Sequence, residues 1–213
     1  MKATAVLPVK RFAAAKQRLA IGLDEERRRG LVAAMLEDSL EAIGEARSVE
    51  RTIVVSGEPR AQDLAGAAGC EVVPDPADEG HVTATLAGIA RAEADGAECV
   101  VLLPGDCPLL DPRELDRLLT GLPASYVAIV PDRHGTGTNA LVLRPPEAIR
   151  PAFGEGSCAR HVAAAREAGV PFAVEELASL ALDLDTPGDV VALTRELAER
   201  PGRARRTAKA LGI

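Results

Sequence analysis

Three aspartates are the side chains best placed to do chemistry. Asp106 stands in Leu103-Pro104-Gly105-Asp106-Cys107-Pro108, directly after an apolar run over 99–103. A carboxylate just beyond the carboxyl end of a buried strand lies where open α/β sheets bind ligands. It suits a hard cation such as Mg²⁺, which takes one or two carboxylates together with substrate phosphates. The other reading is a turn aspartate bonded to its own backbone. Asp183 and Asp185 alternate with Leu182 and Leu184, which puts both carboxylates on one face of a short strand. Two acids on one face repel unless a cation lies between them, although a solvent-facing edge also tolerates them. Thr186, Pro187 and Asp189, which follow, are accounted for as the cap, first position and capping-box acid of a helix.

Cations and hydroxyls complete the set. Lys10, Lys16 and Arg18 fall in the first β-to-α loop, the other preferred phosphate site of such sheets, where they would hold a triphosphate. Alone they are equally a solvated basic patch. Gly135-Thr136-Gly137-Thr138-Asn139-Ala140 and Gly154-Glu155-Gly156-Ser157-Cys158-Ala159 each fit G-x-G-x-x-A. The first runs into a strand and the second has no strand before it, so neither is a dinucleotide fingerprint. Both loops still offer backbone N–H groups and a hydroxyl, Thr138 or Ser157, to a phosphate. Ser157 is equally readable as a plain helix cap. His81, His134 and His161 have no metal-like spacing and read as surface residues. No G-x-S-x-G or Cys/His arrangement marks a covalent nucleophile.

The elements that must position these residues alternate strand and helix. Strands are expected over 3–7, 52–56, 70–73 and 99–103, and helices over 25–45, 60–68 and 83–94. Asp24 caps the first helix, which carries Val32, Leu36, Leu40 and Ile43 along one stripe. The run over 99–103 is apolar at every position, as in a parallel sheet covered on both faces. This pattern predicts an α/β fold with a mostly parallel central sheet. Strands over 126–130 and 138–143, joined by a polar loop, are expected to pair as an antiparallel ribbon at one side of it. Helices follow over 159–168 and 187–199.

The chain has 213 residues, 47% of them apolar, and a net charge of −7. That is enough apolar surface for one domain, placed at 1–199. The remaining 200–213 carry Arg200, Arg203, Arg205, Arg206 and Lys209 and no acid. They are expected to be a mobile basic tail with a weak helix at best, or else to dock on an acidic neighbour. Without those five, 20 basic residues face 32 acidic ones, so the body carries −12. That charge and an aromatic content of 2% argue against nucleic acid as a partner. The longest apolar run is far short of the roughly 20 residues of a membrane span, and a signal peptide is not legible. Cys70, Cys99, Cys107 and Cys158 form no CxxC pair and read as buried thiols of a cytoplasmic protein. A homo-oligomer is left open.

The motifs taken together resemble a known family. P-V-K-x5-K-x-R-L at Pro8 to Leu19, G-D-C-P-L-L at Gly105 to Leu110 and P-D-R-H-G-T-G-T-N-A-L at Pro131 to Leu141 stand in order. F-G-E-G-S at Phe153 to Ser157 and L-D-L-D-T-P at Leu182 to Pro187 follow them. The set resembles the phospholactate/phosphoenolpyruvate guanylyltransferases of coenzyme F420 biosynthesis, from about Met1 to Glu199. The resemblance implies a single-domain nucleotide-diphospho-sugar-transferase fold, GT-A-like and Rossmann-related. It implies GTP at the first loop, with Leu7, Val9 and Lys10 near the base and Lys16 and Arg18 near the phosphates. It implies Mg²⁺, two ions, held by Asp106, Asp183 and Asp185. It further implies that Thr138, Gly154 and Ser157 hold the phosphorylated three-carbon acid, phosphoenolpyruvate or 2-phospho-L-lactate. The chain departs from the family pattern at Gly80-His81-Val82-Thr83, where members often carry G-L-N.

The expected reaction follows from charge. A phosphomonoester is largely a dianion at neutral pH and is already a nucleophile, so the absence of a poised base is consistent. Its attack on the GTP α-phosphorus would release pyrophosphate, with Asp106, Lys16 and Arg18 as the catalytic set. Two other readings stay open from the sequence: a GT-A-type glycosyltransferase and a non-catalytic nucleotide-sensing module.

Overall fold

The structure is a computed structural model describing residues 3–17, 19, 24–182, 184, 186–199 and 202–213. Its strands are β1 (Ala3–Val9), β2 (Val49–Ser56), β3 (Glu71–Pro74), β4 (Val100–Leu102), β5 (Tyr126–Pro131), β6 (Thr138–Arg144) and β7 (Phe172–Val174). Its helices are α1 (Glu25–Glu45), α2 (Pro59–Ala67), α3 (His81–Ala94), α4 (Pro112–Leu119), α5 (Ser157–Glu167), α6 (Pro187–Glu199) and α7 (Arg205–Leu211). The strands form one sheet in the order β3-β2-β1-β4-β6-β5-β7. β1 pairs in parallel with both β2 and β4, and β5 in parallel with β7, while β6 runs antiparallel between β4 and β5.

Alternation along the central strands explains the layering. Ala5, Leu7, Val54, Val101 and Val142 point to one face, where α1 packs through Leu31, Met35 and Leu36 and α4 through Leu115. Val6, Ile53, Val55, Leu102 and Ile129 point to the other, against Ala84 and Ile89 of α3 and Ala165 of α5. Each strand residue therefore meets a helix on whichever side it faces. Val32, Leu36, Leu40 and Ile43 are all buried, and Asp24 accepts the Arg27 amide at 2.8 Å.

Several expectations need correction. β1 runs two residues past the expected 3–7, because strand pairing carries it through Pro8 to Val9, opposite Val55 and Ser56. β5 and β6 do pair as the expected antiparallel ribbon at one side of the sheet, but they are not its last strands. β6 is an inner strand, and β7 adds an edge to β5 that three residues could not announce. Helix α4 was not foreseen, although Asp111 caps it and Pro112 opens it. No strand is assigned to Leu182 or Leu184, but both leucines are buried, as alternation requires. At the basic end, residues 205–211 form α7, which lies on α1. Thr207 donates its amide and hydroxyl to Asp38 at 2.8 and 2.7 Å, and Arg206 reaches Glu37, Asp38 and Glu41. The acidic neighbour of the tail is the chain's own first helix. No helix among the described residues is long and apolar enough to cross a membrane.

Candidate active site

The strand order fixes where a ligand can enter. After β1 the chain builds outward through β2 and β3, then returns to place β4 on the other side of β1. The loops leaving β1 and β4 therefore diverge, and a crevice opens at their carboxyl ends, the topological switch point. A cleft of about 310 Å³ lies there, lined by Pro8, Val9, Lys10, Lys16, His81 and Asp106 among others. Leu7 is fully buried beneath it. Gly105 leaves little room at this corner: a Cβ would stand 3.2 Å from Leu36 Cδ1 and 3.4 Å from Val9 Cγ2.

The loop after β1 is held from three sides. Phe12 is fully buried, and its amide donates to Glu58 Oε2 at 2.9 Å. The buried Arg28 of α1 donates Nη1 to the carbonyls of Phe12, Ala13 and Ala15. Lys16 sits at φ 54°, in the left-handed region that non-glycine residues avoid, so the loop is strained where it presents this side chain. Its Nζ meets Asp106 Oδ2 in an ion pair across the cleft, with only 6% of the lysine side chain exposed. An ammonium that enclosed requires a partner. Burial opposes ionisation of Asp106 most strongly, but the Lys16 charge and hydrogen bond, with His81 and a backbone amide, together outweigh it and hold the carboxyl below its usual range. Arg18, Asp183 and Asp185 lie outside the described residues. Among the described residues, no three His, Cys, Asp or Glu side chains cluster as a metal site. Residues 180–181 lie beside Cys107, the neighbour of Asp106, and beside the loop before β6. The Leu180 carbonyl accepts Asn139 Nδ2 at 2.6 Å and faces Cys107 Sγ at 3.9 Å, and Arg133 N donates to the Ala181 carbonyl at 3.0 Å.

The second wall comes from the antiparallel strand. Leu102 pairs with Leu141, so the start of β6 lies at the same sheet edge as the end of β4. Asp132 accepts the amides of His134, Thr136 and Gly137 at 3.0–3.1 Å and curls the preceding loop, which presents Thr138 at that edge. The 152–157 loop turns at Gly154, φ 112°, and Gly156, φ 70°, where a side chain would be strained. Ser157 is the first residue of α5 and is buried; Gly156, not Ser157, occupies the cap position. Cys158 N donates to the Thr136 carbonyl at 3.2 Å, which joins the two loops. Thr138, Gly154 and Ser157 are thus brought into one region.

Two histidines, expected at the surface, are the residues that sequence reasoning missed. His81 lines the cleft, and Phe153 stands between it and His161, edge-to-face with each at 5.0 and 5.2 Å. The chain His81–Phe153–His161–Thr138 connects the two walls. Burial, aided by Lys10 and opposed by Asp106, lowers the His81 pKa. Burial, with Arg160 nearby, lowers that of His161 to about 4. His81 lies in the segment over 80–83 where the chain departs from the family pattern.

Known proteins share this architecture. A structure from Desulfovibrio desulfuricans G20, described as a nucleotide-diphospho-sugar transferase, superposes with a TM-score of 0.76 at 18% identity. The match covers 99% of this chain and 94% of that one, and bears on the fold alone. The phosphoenolpyruvate guanylyltransferase of Conexibacter woesei is 47% identical over 212 residues, 97% of this chain and 94% of the relative. The 3-phospho-D-glycerate guanylyltransferase of Phenylobacterium zucineum is 40% identical over 197 residues, 91% and 90% of the two chains. Residues 3–197 match the family described as guanylyl transferase CofC like. The chain belongs to that family of guanylyl transferases.

Proposed function

We propose that this enzyme transfers GMP from GTP to the phosphate of a three-carbon phosphorylated acid, phosphoenolpyruvate or 2-phospho-L-lactate, in coenzyme F420 biosynthesis, and releases pyrophosphate. The observation that carries the reading is the Lys16–Asp106 pair across the switch-point cleft, in a chain matched over 3–197 by guanylyl transferases. The relative named for phosphoenolpyruvate supports that acid, and the one named for 3-phospho-D-glycerate places a third acid on the panel. A glycosyltransferase or a sensing module is not favoured by these relatives.

The roles extend the family resemblance to these residues. Val9 and Lys10 border the cleft where the guanine and ribose enter, with Leu7 buried beneath them. Lys16 and Arg18 take the triphosphate. Thr138, Gly154 and Ser157 take the acid across the Phe153 wall. The substrate phosphate oxygen attacks the α-phosphorus; a P–O bond forms, the bond to the β-phosphate oxygen breaks, and pyrophosphate leaves with the electron pair. No proton needs to be removed from a dianionic phosphate, so the low pKa of His161 is no obstacle. The hard carboxylate of Asp106, which already holds a cation, fits Mg²⁺; it would hold the metal with Asp183 and Asp185. When bound, the metal supplies charge neutralisation between the two anionic substrates.

Pyrophosphate release from GTP and Mg²⁺ with each of the three acids in turn is the test. Release dependent on phosphoenolpyruvate or 2-phospho-L-lactate is expected. GTP binding without release for any acid overturns the reading.

A further inference from the structure

The Ala152 amide, His161 and Thr138 form a relay outside the cleft's charged pair. His161 is fully buried at the foot of the 152–157 loop. Ala152 N–H donates to His161 Nε2 at 2.8 Å, and Nδ1 lies 3.0 Å from Thr138 Oγ1. An amide N–H only donates, so Nε2 must present its lone pair. In a neutral imidazole the proton then resides on Nδ1. Nδ1–H is the donor to Thr138, and the hydroxyl accepts. A hydroxyl that accepts from the ring directs its own proton elsewhere. Among the described residues it makes no second hydrogen bond.

We propose that His161 is a positioning residue for the phosphorylated acid: its Nδ1–H fixes the Thr138 hydroxyl as an outward donor to an anionic oxygen of that substrate. The inference rests on the proposed reaction and adds to it a residue that touches no substrate. The Ala152 amide belongs to the loop carrying Gly154 and Ser157, so one ring sets both the hydroxyl and that loop. The imidazole stays neutral because it lies between two protein partners. A protonated ring would have to donate to an amide N–H, which cannot accept.

The test combines spectroscopy with kinetics on the full chain. Nitrogen-15 spectra at pH 7 should show His161 with a protonated Nδ1 and a bare Nε2. His161→Gln keeps an acceptor for Ala152 but loses the donor to Thr138, and should raise the KM for the acid about tenfold. Its KM for GTP should stay within about twofold, the range in which no hydrogen bond is lost. His161→Asn places an N–H near the Nδ1 position and should recover most of the loss. Adding His161→Gln to Thr138→Val should cost nothing beyond Thr138→Val alone, since residues acting through one bond are not additive. A protonated Nε2, a parallel rise in both KM values, or additive losses in a turning-over enzyme overturns the inference alone. A wild-type enzyme silent with all three acids overturns the proposed reaction and this inference with it.

Discussion

Asp38 and Asp106 are both aspartates facing basic side chains, and they are built for different ends. Asp38 has 3% of its side chain exposed. It accepts from the Thr207 amide and hydroxyl on one oxygen and from the Arg206 amide and guanidinium on the other. A carboxylate has about four acceptor positions, and α7 fills them. Asp106 has 32% of its side chain open and meets Lys16, whose loop is strained. A carboxylate saturated by backbone and hydroxyl donors fastens two elements. One held by a side-chain ammonium at an open cleft can exchange that cation for a ligand.

Replacing Asp106 with Asn breaks the comparison most severely. Turnover should fall by about 10³, the scale on which a transition-state electrostatic contact acts, while the chain stays folded, because the Asn side-chain oxygen still accepts from Lys16. A folded variant with near-normal turnover would remove Asp106 from the chemistry. The reverse is expected of Asp38→Ala. Unpairing buried donors costs about 3 kcal/mol, or about 10 °C in melting temperature for a chain this long. The fraction that remains folded should turn over normally. If Asp38→Ala abolished turnover in folded protein, α7 would be part of the catalytic machinery and the contrast would fail.

These two carboxylates were not equally legible. Asp106 could be read because an apolar run, a Pro-Gly stop and an acid are local signals, and sheet topology does the rest. Asp38 carries no such signal. Its partner is nearly 170 residues away, and only the fold brings Thr207 to α1. The basic composition of the tail was visible, but not that the acids of α1 would meet it. β7 escaped notice because its order comes from pairing with β5 and not from its own three residues. His161 escaped for a related reason. A histidine on a helix reads as a solvated residue until the 152–157 loop closes over it and supplies an amide.

That buried histidine gives the comparison a pH axis. His161 titrates at about 4 in the fold and near 6.5 in an unfolded chain. Its folded pKa is depressed, so the associated stability is complete above about pH 6.5 and is lost as pH falls toward 4. Between those limits the unfolded chain binds the extra proton. The loss is about 3 kcal/mol. Urea titrations at pH 7 and pH 4.5 should show it, and His161→Gln should flatten that part of the profile. An unchanged slope in the variant would place the acid sensitivity at other groups.

The smallest effect sharpens the Asp38 side. Arg206 reaches Glu37, Asp38 and Glu41, but 43% of its side chain is exposed. Exposed ion pairs contribute at most about 1 kcal/mol and weaken with salt. Arg206→Ala also leaves the residue's backbone amide and both Thr207 donors on Asp38, because none of them belongs to the truncated side chain. Thermal melts at low and high salt should therefore show a loss of under about 1 kcal/mol that shrinks as salt rises. A loss equal to that of Asp38→Ala would mean that charge, not the buried Thr207 bonds, holds α7 on α1. Asp38 would then resemble Asp106, a carboxylate held chiefly by one cation, and the distinction between fastener and ligand site would have to be drawn from exposure alone.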